Sequence, residues 1–190
     1  MELSDLWTEK LQISEDKKME YAKGRIGRVF TVRMDYRDDL ILELIKLAEL
    51  ENIESAVFVL LGALKEAKFV VGPKESVTPP EPVWFGFDDA HEILGIGNIF
   101  LMDGKPKIHL HAGAGRGDSV KLGCLRGESE VFMVVEAFVF ELEGFSARRI
   151  ADEEQGFAPV VFEQVSDLKL YSDKTRIIFR SQKFGYEDDN

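Results

Sequence analysis

The sequence has a single cysteine, Cys124, and so cannot close an intrachain disulfide. That excludes a disulfide-stapled scaffold and fits a reducing cytoplasm. Positive charge is in short supply: Lys and Arg number 24 against 35 Asp and Glu, a formal net charge of −11. Such a surface repels phosphate backbones and anionic headgroups unless its few cations gather in one patch, which disfavours non-specific nucleic-acid binding. Long apolar runs are also missing. The longest, Ala56 to Leu64, falls far short of the roughly 20 residues that cross a bilayer. The amino terminus, Met1-Glu-Leu-Ser-Asp5, is acidic where a secretory signal is basic and then apolar, so a soluble cytoplasmic protein is expected. Asn and Gln total seven while Glu and Lys abound, a balance that leans towards a thermophilic source.

What is present suffices for a core. Apolar residues make up 45% of 190 positions, enough for one domain with appended ends and too much for wholesale disorder. Residues 1–23 form a polar amphipathic arm, with Leu3, Leu6 and Trp7 at helical spacing before a charge-rich run. From Gly24 the pattern changes. Arg28 to Arg33 alternates as a strand does, and Asp38 or Asp39 is placed to cap a helix over Leu40–Leu50. Ala56 to Leu61 predicts a strand buried on both faces and ending at Gly62, with Ala67 to Val71 a further strand. Pro73 to Pro82, with four of the six prolines, predicts a surface loop. Strands follow at Glu92–Phe100, Lys105–His111 and Val120–Leu125, the last two joined by a flexible glycine-rich loop, Ala112 to Ser119. Val131–Leu142 is the strongest strand pattern in the chain. Residues 143–190 remain rich in apolar side chains, too many for a solvated tail; Val160–Phe162 and Leu168–Phe179 offer short strands. Many strands and one good helix predict an α+β fold, a largely antiparallel, twisted sheet packed with one main helix.

The chemistry concentrates at His109-Leu110-His111. On a strand, residues i and i+2 project from one face about 6.5–7 Å apart, and two imidazoles at that spacing can converge on one ion. Cys124 arrives on the next strand, and a thiolate is itself a good zinc ligand. A lone His-x-His pair or buried Cys is equally at home in an ordinary sheet, and both readings stand at this point. His91, after Asp88-Asp89-Ala90, is expected in a loop. Gly113 to Asp118 lacks the Lys-Ser/Thr of a phosphate-binding loop, and Arg148-Arg149 is too short for a basic patch.

From Gly24 to Leu142 the order of these pieces resembles the plants and prokaryotes conserved (PPC) domain. The resemblance rests on Arg28-Val-Phe-Thr-Val-Arg33, Leu61-Gly-Ala-Leu64, Glu92-Ile-Leu-Gly-Ile-Gly-Asn-Ile99, Asp103-Gly-Lys-Pro-Lys-Ile-His-Leu-His-Ala112 and Leu122-Gly-Cys-Leu125. It implies a compact α+β subunit that assembles as a homotrimer, similar to the alpha-acetolactate decarboxylase fold; the apolar content of residues 143–190 separately predicts an extension packed on the core or a neighbouring subunit. It implies a metal, zinc or a similar divalent ion, at His109, His111 and Cys124. The family has a third histidine, in Gly-Gly-His-Leu, where this chain has Cys124; the exchange either preserves the site with a thiolate or marks its loss. Glu136 matches an acidic position on the last family strand and is a candidate base, or an ordinary acidic surface residue. The AT-hook of plant members, Arg-Gly-Arg-Pro, is absent; Gly24-Arg-Ile-Gly-Arg28 lacks that core. Three functions are thus in play. They are metal-assisted hydrolysis or decarboxylation of a small oxygen-rich substrate, a non-catalytic trimeric scaffold or regulator, and nucleic-acid association, the least favoured.

Overall fold

The computed structural model describes residues 19–162. Most of the expected amino-terminal arm and the Leu168–Phe179 strand candidate lie outside the described residues. Strand β1 (Arg25–Asp35) is followed by helix α1 (Leu40–Glu51), β2 (Ser55–Pro73), β3 (Pro82–Phe87) and β4 (His91–Met102). Then come β5 (Lys105–Arg116), β6 (Ser119–Glu143), β7 (Ala147–Arg149) and β8 (Val160–Phe162). The result is a strand-rich, mostly antiparallel sheet with one short helix, as the alternating patterns predicted.

The sheet closes on itself. β2 pairs with β6, β6 with β5, β5 with β4, and β4 returns to β2, while β1 adds to the far half of β6. Inside the circuit lie Phe58, Leu60, Leu64, Ile99, Leu110, Val131 and Val135, all almost fully buried. Helix α1 turns Leu40, Leu44 and Ala48 into the same core. Asp39 caps it by accepting from the Leu42 N–H at 2.9 Å, and the buried Ser129 hydroxyl donates to the same carboxylate at 3.0 Å. Ser129 also accepts from the Ile41 N–H at 3.2 Å, so one β6 hydroxyl fixes the helix start against the sheet.

Four expectations are corrected. The strand at Ala56 does not end at Gly62 but runs 19 residues, because Gly62, at φ 141°, lets β2 pass the β6 backbone too closely for any Cβ. Nor is it buried on both faces: Phe58 and Leu60 point inward, while Val59 and Leu61 are 39% and 47% exposed within the chain. The two strands read at Val120–Leu125 and Val131–Leu142 are one, the 25-residue β6, whose ladder to β2 shifts register three times along its length. The glycine-rich segment is not a loop. β5 continues through Arg116, and only Gly117-Asp118 separates it from β6, since Gly113 and Gly115 sit in register opposite Leu122 and Val120 and keep the ladder unbroken.

Candidate metal centre

Sheet parity decides which side chains of β5 meet. Leu110, Ala112 and Ala114 enter the core at 1% exposure each, so His109 and His111 stand together on the opposite face. Antiparallel pairing then places Cys124 directly across from His111. Cys124 is held on its other edge by Val70 of β2, where Gly123 admits the Val70 carbonyl at a distance no side chain would allow. The imidazole nitrogens and the thiol of His109, His111 and Cys124 all lie within 4.8 Å of one another.

The donor set fits a transition metal. The two Nε2 atoms are 3.1 Å apart. Tetrahedral coordination with metal–nitrogen bonds of about 2.0–2.1 Å needs an edge of about 3.3 Å, so a small relaxation suffices. His109 is partly buried and His111 exposed, and Cys124 is a buried free thiol. Burial, reinforced by the charges of Arg149, His111 and Arg126, lowers the His109 pKa to about 4, which keeps that ring neutral and able to ligate. Burial pushes the Cys124 thiol up, with Arg126 and Arg149 opposing; a metal would draw off its proton, as metals do with thiols.

Arg149 is the residue the sequence reading missed. It lies on β7, which meets the sheet through the parallel pairing of Arg148 with Leu101 of β4. Its guanidinium donates to Ala158 O at 2.6 Å, to Asn98 Oδ1 at 2.7 Å and to His109 Nδ1 at 3.3 Å. A guanidinium offers no acceptor, so Nδ1 receives this bond and the neutral His109 ring carries its proton on Nε2, facing His111. If a metal were held at Nε2, the neutral ring would carry its proton on Nδ1, and Arg149, which can only donate, would lose that acceptor. Two adjacent arginines carry little signal in a sequence; only the pairing of β7 with β4 reveals where one of them goes.

The other candidates lie elsewhere. Glu136 is exposed on the far half of β6, cross-strand from Leu61 and Arg33. Leu61 and Val70, the β2 partners of Glu136 and Cys124, stand nine residues apart (70 − 61), about 30 Å along the strand, so the chain does not bring Glu136 to the cluster. His91 is not in a loop but opens β4, stacked on Phe87 with ring centroids 3.9 Å apart and its Nδ1 at 2.9 Å from Asp89 O. It takes no part in the cluster. Arg116 pairs with Asp89 at the β5–β6 turn.

A closed antiparallel sheet presenting two histidines and a thiol on its outer face defines a small β-rich protein with a candidate metal centre. The model of the Plants and Prokaryotes Conserved domain matches residues 21–143, and the chain belongs to that family. Solved structures agree. The chain is similar to a metal-containing protein from Archaeoglobus fulgidus at 28% identity and TM-score 0.67, covering 75% of this chain and 99% of that one. It is similar to a plant- and prokaryote-conserved protein from Pyrococcus horikoshii at 27% identity and TM-score 0.65, covering 78% and 99%. A supposed DNA-binding protein from Ralstonia eutropha, at 24% identity and TM-score 0.59 over 69% and 89%, shares the fold. A search of curated protein sequences finds no match. No helix among the described residues is long and apolar enough to cross a membrane.

Proposed function

We propose that this chain is a metal-binding homotrimeric protein in which His109, His111 and Cys124 hold zinc or a similar divalent ion. The observation that carries the reading is the convergence of the three donor atoms within 4.8 Å on one face of the β5–β6 hairpin. Three protein ligands leave a fourth position for water or a substrate oxygen. Such an ion would lower the pKa of bound water and polarise a carbonyl, chemistry suited to hydrolysis or decarboxylation of a small oxygen-rich molecule. His109 and His111 orient the ion, and the β2 and β5 ladders on either edge of Cys124 keep the thiolate fixed. A non-catalytic, regulatory role is the second reading, favoured by one observation: among the described residues no carboxylate joins the cluster to act as base.

The trimer rests on the outer face beside the cluster. Leu94, Ile96, Val120 and Leu122 are 72%, 60%, 69% and 68% exposed, and the strand registers set them next to one another. An apolar surface of this kind is the sort that association covers. The extension, residues 143–190, then strengthens the assembly, beginning with the β7–β8 pairing on β4. Duplex DNA is not a partner in this reading, because the net charge of −11 opposes it. The test is metal analysis of protein purified from metal-replete medium together with its sedimentation mass. About one ion per subunit and a trimeric mass are expected. A metal-free monomer rejects the proposal, and salt-sensitive sub-micromolar DNA binding would overturn the exclusion of nucleic acid.

A further inference from the structure

In a chain of net charge −11, the surroundings of the candidate metal centre are cationic. Elsewhere four arginines find acids, Arg25 with Glu143, Arg28 with Glu51 and Glu141, Arg33 with Asp35 and Arg116 with Asp89, while Arg37 lies over the Tyr36 ring. Arg126 and Arg149 are different. Both act electrostatically on His109 and Cys124 and on each other, and neither has a carboxylate partner among the described residues. Arg126 lies two positions after Cys124 (126 − 124) on β6, where the ladder to β2 shifts register. Arg149 reaches the cluster from β7, and its buried Nε–H has no hydrogen-bond partner among the described residues. A buried donor left unpaired is costly, and the exposed Arg126 guanidinium adds further positive charge beside it.

We propose that Arg149 and Arg126 form an anion-receiving corner beside the metal, and that its ligand is a small carboxylate carrying a neighbouring oxygen for the ion. This deepens the metal reading and rests on it. Arg126 lies within the family match at residues 21–143 and Arg149 beyond it, so the extension completes the corner. The ligand class follows from the donors that remain. Both Nη atoms of Arg149 are already engaged, one by Ala158 O and the other by Asn98 and His109. The few open N–H groups match the two oxygens of a carboxylate better than the three of a phosphate. With a metal at His109 Nε2, the Nδ1 acceptor would be lost and one more Arg149 N–H would be free for the anion.

The test loads the full chain with Co(II), whose visible absorption reports thiolate and imidazole ligation, and titrates it with glycolate, inorganic phosphate or neutral ethylene glycol. Glycolate is expected to perturb the cobalt bands saturably, phosphate more weakly, and ethylene glycol not at all. Arg149→Gln should take up cobalt normally yet bind glycolate roughly tenfold or more weakly, with Arg149→Lys partly restoring it. If Arg149→Gln melts early, Arg126→Gln serves in its place. Glycolate binding unchanged in the glutamine variant, absent from cobalt-loaded wild type, or weaker than that of phosphate overturns the carboxylate corner while the metal centre stands. Failure of the wild type to take up cobalt overturns both.

Discussion

The two halves of β6 belong to one continuous strand and have opposite fates. The near half, from Ser119 to about Glu130, is edged by β5 and presents Cys124 beside two histidines. The far half, from Val131 to Glu143, is edged by β1 and β2 and buries Val131, Val135, Ala137 and Val139 completely. Both halves offer a residue capable of chemistry, Cys124 and Glu136. Only the near one has partners, because β5 crosses there and brings its own functional face into register. What makes a site on this strand is therefore the neighbour that the strand acquires, not the residue it contributes.

The largest effect expected from testing that contrast is on metal content. His109→Ala or His111→Ala should abolish retention of the ion, measured by plasma emission on purified protein, whereas Glu136→Gln should leave content and melting temperature unchanged. Loss of metal from the Glu136 variant would break the comparison. Next in size is the core. Leu110→Ala, between the two histidines but facing inward, should lower unfolding free energy in urea by about 2–5 kcal/mol, with the ion still bound under folding conditions. A smaller change belongs to the junction of the halves. Ser129→Ala removes the hydroxyl that serves both Asp39 and the Ile41 N–H, and should destabilise by about 1–2 kcal/mol in the same assay.

A further effect lies in pH dependence, and metal-stripped protein is where it should be sought. The folded pKa of His109 is about 4, through burial first and then Arg149, His111 and Arg126, against an ordinary 6.5. Between those values the unfolded chain binds the additional proton, so stability falls as pH drops through that window. His109→Gln should flatten this slope. Cys124 acts at the other end. Its pKa is raised by burial, so above about pH 9 the unfolded thiol ionises first and stability declines as pH rises further. Thermal melts across both windows, in wild type and Cys124→Ala, measure the two contributions separately.

Much of this was legible without coordinates where local pattern and tertiary role coincide. Asp39 caps α1 as its position before Leu40 suggests, and β1 and β4 lie where alternation puts them. The His109-Leu110-His111 spacing needed only the geometry of a strand, and Cys124 only a hairpin. Legibility failed where the sheet bends. Gly62, with its positive φ, looked like a strand end because glycine usually marks one, yet it permits a crossing of β2 and β6. β3, Pro82–Phe87, followed a proline-rich stretch and carried no clean alternation, so Phe85 and Phe87, which pack on Phe69, went unread. Arg149 was invisible for another reason. Its meeting with His109 depends on a three-residue strand joined to β4 by the single pairing of Arg148 with Leu101.

The turn between β5 and β6 has a consequence for how such a centre can be gained or lost. Gly117, at φ 60°, and Asp118 connect strands whose pairing sets Cys124 opposite His111, six residue pairs closing the hairpin from Arg116–Ser119 to His111–Cys124. Because side chains alternate faces, the turn length works as a parity counter. Adding one residue after Gly117, with the β2–β6 ladder and a two-residue turn both kept, would leave Cys124 in place but offset its partner by one, setting it across from a core-facing alanine. A two-residue insertion would restore the parity and shift the thiol along β5 by a whole pleat. A lineage could thus switch this centre off and on through the length of a surface turn, leaving all three ligands intact in its sequence.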